Sequence, residues 1–244
     1  MMSSKKYAIL GDIHGNLEAL ETVLKDAGEQ DVTDYVSVGD IVGYNANPSE
    51  CVEKVRELGC VGVCGNHDHY CCRNESLDDF HPLAAHVVDW TRKHLSDEQI
   101  EYLRNLKLVQ NVGGFSIVHS TLDMPEKWGY VFDSLEADAN FNYQRTTLCF
   151  HGHTHVPVVY TKQNGVRKDE PGPLKVSLGK KYFINVGSVG QPRDGDPRAS
   201  YVTYEPGKKM VEWRRLSYDI AAVQEKIKKA GLPERLARRL ELGK

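Results

Sequence analysis

YAILGDIHGNLEALETVLKDAGEQDVTDYVSVGD, residues 7–40, decides the fold. Residues 7–10 are a short apolar run of the kind that forms a buried strand, and Gly11 ends it. Leu17, Leu20, Leu24 and Ala27 then recur at helical spacing, and Gly28 has the place of a C′ stop. Residues 35–38 repeat the strand pattern and end at Gly39. Further on, Asn47 and Pro48 fit N-cap and N1 of a helix carrying Val52, Val55 and Leu58, with Gly59 behind it. Residues 60–64 form a third apolar run, closed by Gly65. This βαβαβ order predicts a largely parallel first sheet.

A polar block follows each of these strands: GDIHGN at 11–16, GD at 39–40 and GNHD at 65–68. Ligands of open α/β sheets bind beyond the carboxyl ends of parallel strands, so blocks far apart in sequence should converge.

Residues 71–106 break the alternation. Pro82 can open a helix bearing Leu83, Val87 and Trp90, and Ser96 with Gln99 has capping-box spacing before Ile100, Leu103 and Leu106. This helical insertion is expected either as a wall or lid beside the site or as a helix pair on the sheet edge. The second half is richer in strands: FSIVHS, TLCFHG, VPVVYT, KYFINVG, ASYVTY and MVEWRR, with a hairpin signal at Asn164-Gly165. They are expected to build a second sheet, mixed or antiparallel, packed on the first. Two helical patterns close the chain over about 218–244, one with Ile220, Val223 and Ile227, the next with Leu236 and Leu240 after Pro233. With no repeat and no linker composition, 1–244 is expected to be one domain.

The 244 residues, 40% hydrophobic and 27% charged, can bury a full core, and the net charge of −3 gives no general attraction to nucleic acid or acidic lipid. No apolar run nears the roughly 20 residues that span a bilayer. The start MMSSKKYAIL has no secretory h-region, so a cytoplasmic protein is the expectation. The six cysteines lack CxxC spacing. Cys60, Cys64, Cys71 and Cys72 fit no common zinc finger, and free thiols are expected.

Seven residues of the blocks are candidate metal ligands: Asp12, His14, Asp40, Asn66, His119, His153 and His155. Asp12 and His14, two apart beyond a strand end, can aim a carboxylate and an imidazole at one ion, with Gly11 and Gly15 relaxing the turn. Asp40 has two oxygens and can bridge two cations, though a lone Asp before a loop is also an ordinary cap. Asn66 offers a neutral oxygen. His67 can face substrate, with Asp68 expected to orient it and hold it protonated near neutral pH. His119 ends a β-rich run, and His153 and His155 share one side of an extended segment by period two. His151 and His69 stay outside this set. An N/O ligand set favours two divalent transition ions, Mn, Fe, Zn, Co or Ni, over an all-oxygen Mg or Ca cage.

With VHS at 118–120 and GHTH at 152–155, five blocks in this order resemble the calcineurin-like metallophosphoesterase superfamily, in its small bacterial and archaeal phosphodiesterase-like branch. The match runs from residue 8 to about 190. The resemblance implies an α/β fold, a four-layer α/β/β/α sandwich of two mixed sheets flanked by helices. It implies that Asp12, His14 and His155 hold one metal, Asn66, His119 and His153 the other, with Asp40 bridging and His67 catalytic. It further implies in-line attack at phosphorus by a metal-bridging hydroxide on a small phosphodiester or phosphomonoester, His67 assisting the leaving group. Protein phosphatases of the superfamily carry an arginine soon after the bridging Asp. Here the chain reads GDIVGY, which sets it apart from them and from the dinucleoside tetraphosphatases. Arg193, in NVGSVGQPRDGDPRASY at 185–201, can either reach a phosphate or brace the turn beside Asp194 and Asp196. A nuclease would want a basic groove, and a non-catalytic interaction scaffold on this fold would tend to lose ligands. The basic residues of the tail alternate with Glu225, Glu234 and Glu241 and are expected to form a solvated face. Trp90, Trp128 and Trp213 are expected to serve packing.

Overall fold

The computed structural model describes residues 5–73, 75–77 and 82–244. In chain order the strands are β1 (Tyr7–Leu10), β2 (Asp34–Ser37), β3 (Val61–Gly62), β4 (Val109–Val112), β5 (Phe115–Val118), β6 (Leu148–His151), β7 (Val158–Lys162), β8 (Val166–Asp169), β9 (Leu174–Lys175), β10 (Lys181–Asn185), β11 (Ala199–Glu205) and β12 (Met210–Leu216). The helices are α1 (Leu17–Glu29), α2 (Pro48–Glu57), α3 (Asn66–Cys72), α4 (Pro82–Arg92), α5 (Asp97–Arg104), α6 (Ser134–Phe141), α7 (Ile220–Lys229) and α8 (Glu234–Leu242).

Two six-stranded sheets result, in the orders β3-β2-β1-β11-β12-β9 and β4-β5-β6-β10-β7-β8. The first is parallel only from β3 to β1. At β1 it turns antiparallel, Tyr7 opposite Tyr204 and Ile9 opposite Val202. The expectation that the later strands all build the second sheet is corrected here, since β11, β12 and β9 complete the first. Alternation along the strands explains the layers. Ala8 and Leu10 face α1 and α2, whereas Tyr7 and Ile9 face Phe115, Ile117, Phe150 and Ile184 of the other sheet. Cys149, Tyr160 and Phe183 point from the second sheet's far side onto Ala137 and Phe141 of α6. Helix, sheet, sheet, helix is therefore the order of layers, and each fully buried aliphatic between the sheets adds roughly 1.5–3 kcal/mol.

Gly28 does not stop α1. The helix runs past it to Glu29, and Asp31 takes the left-handed turn at φ 56 while Val32 N–H reaches back to the Ala27 carbonyl. The capping box at Ser96 and Gln99 opens α5 as expected. Residues 74 and 78–81 of the 71–106 insertion, like residues 1–4 of the polar lead, lie outside the described residues. Cys71, Val88 and Leu103 of the insertion are buried against α1 and α2, which favours the helix pair on the sheet over a wall. Val87 and Trp90 instead pack with Val223, Leu236 and Leu240 of the C-terminal helices. All six cysteines are free thiols.

Candidate metal centre

The loops after β1, β2, β3, β5 and β6 converge at one end of the sandwich. Inward-facing atoms of Asp12, His14 and His155 lie within 4.8 Å of one another, as do those of Asp40, His119 and His153, and of His14, Asp40 and His67. Asn66 Oδ1 joins the second group, 3.1 Å from His119 Nε2. All seven expected ligands and His67 are thus brought together, and each of the Asp and His members is buried.

Backbone carbonyls set the ring orientations. His14 Nδ1 bonds the Val42 carbonyl at 3.0 Å, His119 Nδ1 that of Val38 at 2.9 Å, His153 Nε2 that of Trp128 at 2.9 Å and His155 Nδ1 that of Gln191 at 2.6 Å. A carbonyl can only accept, so these ring nitrogens carry the hydrogens. Burial holds His14 and His155 well below the usual histidine range and pushes His153 down to about 3, so all three are neutral. Their inward nitrogens are then bare. The Nε2 atoms of His14 and His155 face each other at 3.1 Å, where two lone pairs repel unless a cation lies between them. Burial alone would raise Asp40, but the charged His119 imidazole beside it overrides burial and holds its carboxyl well below the usual range. Burial likewise opposes a charge on His119, yet Asp40, 3.3 Å away, lifts it to about 9. The centre keeps a proton where a positive charge belongs. Donors of this N/O kind, with each imidazole fixed by a backbone carbonyl, fit divalent transition ions.

Local backbone makes the convergence possible. Asp12, His14, Asp40, Tyr44, Trp128, His153 and His155 all have left-handed φ, from 50 to 70°. His153 and His155 therefore do not alternate along an extended segment, as their spacing predicts; two tight turns send them to different groups. Gly11 does not take a left-handed turn. Its role is close approach, since a Cβ would sit 2.7 Å from methyls of Val38 and Val186.

Asp68 does not orient His67. Its oxygens accept N–H bonds from Ile41 at 2.8 Å, Val42 at 3.2 Å and Gly65 at 3.1 Å, which fix the Asp40 loop to the start of α3. Nor does His67 stand protonated. Burial, aided by Arg193 and His119 against Asp40, pushes it down to about 4, and its Nδ1 is buried without a partner among the described residues. The His67 ring lies 4.8 Å from His14 and 4.4 Å from Tyr44. Sequence reasoning passed over Tyr44, whose one signal is its place in GDIVGY. Trp128, expected only to serve packing, anchors His153 through its carbonyl, and Asn185 shapes the GHTH turn by donating to the Gly152 carbonyl at 2.6 Å. His151 stays outside the centre, stacked on Phe183 at 4.0 Å. His69 bonds Glu75.

Arg193 does not pair with the aspartates beside it. Asp194 pairs with Arg215 and Asp196 with Arg198, leaving Arg193 to donate to Gln191 Oε1 at 2.9 Å. On the tail Lys229 pairs with Glu225 and Arg238 with Glu234, Lys226 reaches Glu18 of α1, and Arg239 departs from the expected solvated face by lying half-buried over Tyr44.

A profile of the "Calcineurin-like phosphoesterase superfamily domain" matches residues 6–209. A protein of uncharacterised function from Methanocaldococcus jannaschii is 41% identical over 247 residues, covering 100% of both chains. The crystal structure of a metallophosphoesterase from Sphaerobacter thermophilus is 43% identical and superposes with a TM-score of 0.87 over 99% of this chain and 100% of the other. A symmetrical bis(5'-nucleosyl)-tetraphosphatase from Aromatoleum aromaticum is 32% identical over 123 residues, 48% of this chain and 44% of its own.

Proposed function

Because the chain belongs to the calcineurin-like phosphoesterase superfamily, we propose that it is a dinuclear metal-dependent phosphoesterase acting on small phosphate esters. The observation that carries this reading is the pair of bare imidazole nitrogens of His14 and His155 set 3.1 Å apart beside Asp12 and Asp40. Asp12, His14 and His155 would hold one ion, Asn66, His119 and His153 the other, and Asp40 would lie between them. When bound, two divalent ions would supply an acidified water and neutralise phosphoryl oxygens.

The remaining work falls to the chain. His67 enters the site neutral, so at rest it cannot act as an imidazolium. A phosphate dianion beside it favours its charged form, so substrate binding would raise its pKa and prepare it to protonate a leaving alkoxide. The ring of Tyr44 holds His67 from one side, and the buried carbonyls hold the other imidazoles still. A nuclease is disfavoured by the net charge of −3 and by the ion pairs that occupy Lys226, Lys229 and Arg238 of the tail. A scaffold is disfavoured because every expected ligand position keeps a donor.

Purified protein supplied with Mn²⁺ should hydrolyse bis-p-nitrophenyl phosphate or p-nitrophenyl phosphate, and a chelator should abolish that turnover. His67→Ala should lower kcat by about 10²–10⁴-fold while metal content stays at the wild-type value. Absence of turnover with every first-row divalent ion would sink the reading in favour of a scaffold.

A further inference from the structure

The loop after β10 and the end of α8 meet over one tyrosine. The Tyr44 ring stands 4.6 Å from His14, and two guanidinium carbons lie over it, Arg193 at 5.5 Å and Arg239 at 5.9 Å. The docking of these two segments is built into the backbone. Gly243 ends α8 with φ 60, and its carbonyl accepts the Gly195 N–H at 3.0 Å. A Cβ at Gly243 would come within 2.8 Å of the Asp196 backbone, so only glycine lets the helix end lie this close to the loop. Arg239 Nε donates to the backbone oxygen of Lys244, and its carbonyl accepts the Lys244 N–H.

The carboxylates of this unit are already engaged, Asp194 by Arg215 and Asp196 by Arg198. Among the described residues neither Arg193 nor Arg239 has an Asp or Glu partner, and Arg193 Nε is buried with no hydrogen bond. Both side chains are half-buried. Burial first, and Arg193 second, push Arg239 down to about 10. Two like charges at one aromatic ring, with carboxylates nearby directed elsewhere, make an arrangement that an anion would relieve. Planar guanidinium forks match phosphate oxygens in particular. Position says which phosphate. His14 and His67 are buried, whereas Tyr44, Arg193 and Arg239 lie further out and partly open to solvent. The attacked group belongs with the inner set.

We propose that Arg193 and Arg239 form a clamp for a second phosphate of the substrate, one tyrosine outward from the phosphate that is attacked. The clamp rests on the phosphoesterase reading and narrows it, since the preferred substrates would carry at least two phosphates, as bisphosphate esters or phosphoanhydrides do, rather than one.

Calorimetry on the full chain in excess Mn²⁺ tests this, with the 5′-methylenephosphonate analogue standing for AMP and the α,β-methylene analogue for ADP so that neither probe is consumed. The wild type should bind the ADP analogue about tenfold or more tighter than the AMP analogue. Arg239→Gln and Arg193→Gln should each remove most of that preference. Arg238→Gln, on the exposed side of α8, should keep it. If Arg239→Gln does not fold, Arg193→Gln carries the same readout from a different element. A preference that survives both substitutions overturns the clamp. So does an equal loss of affinity for both probes, which would assign the arginines to the attacked phosphate. Loss of preference in a protein that hydrolyses no ester would keep the clamp and discard the hydrolytic reading. Hydrolysis without any preference would do the reverse.

Discussion

Seven residues around the centre hold a left-handed backbone that non-glycine residues enter at a cost of roughly 1–2 kcal/mol each. Such strain persists only where the surroundings over-determine it, and here the turns aim Asp12, His14, Asp40, His153 and His155 at one point. Asp40→Ala should therefore cost more metal than the loss of any one outer ligand, read as metal content after gel filtration against His119→Ala. Unchanged content in Asp40→Ala would remove its bridging role. Residue types at these positions were legible in the sequence, but their φ values were not. Spacing rules assume regular strands, and His153 and His155 leave that geometry. His151 offers a prediction about pH. Burial pushes it down to about 3, while in the unfolded chain it titrates near the ordinary value of about 6.5. The unfolded state thus takes up the proton first. The stability tied to neutral His151 is whole above about pH 6.5 and is lost progressively as pH falls toward about 3. Between about pH 7 and pH 5 the melting temperature of His151→Phe should fall less than that of the wild type. An equal or greater fall in the variant would count against this assignment.

Elements carry the strain by anchoring one loop to another. Asp68 accepts the Gly65 N–H at the start of α3 and also takes the N–H groups of Ile41 and Val42. Asp68→Ala would leave three buried donors unpaired, a loss of about 1–3 kcal/mol in urea unfolding with metal affinity lowered as the Asp40 loop loosens. A loss under about 0.5 kcal/mol would show that the anchor is dispensable. From GNHD alone this carboxylate looked like a partner for His67. A local pattern gives the neighbours in sequence, whereas the three donors that claimed Asp68 include two from 26 and 27 residues away. Strands β11 and β12 show the same limit. Their alternation marked them as strands, but the choice of sheet depended on the free edge of β1, which no pattern within 199–216 records.

The whole molecule is held by three apolar layers and a fourth cluster at the C-terminal end. The inter-sheet layer was foreseeable, because strands with alternating buried faces and flanking helices admit few packings. The fourth cluster was less so: Val87 and Trp90 from the insertion meet Leu236 and Leu240, two amphipathic patterns about 150 residues apart that either could have satisfied elsewhere. Leu236→Ala should cost about 2–5 kcal/mol, measured by denaturant unfolding, and should loosen α8 as seen in amide exchange. Protection of α8 unchanged from wild type would contradict its docking through this cluster.

The four carbonyl anchors have a consequence for how the chain can vary. Val42, Val38, Trp128 and Gln191 orient the imidazoles through main-chain oxygens, which every amino acid possesses. A site whose outer shell is made of carboxylates is vulnerable to point substitution at each of them. Here the outer shell is indifferent to side-chain identity as long as the backbone path is kept. Relatives can drift at these four positions, as their packing allows, and still present the same set of inward nitrogens.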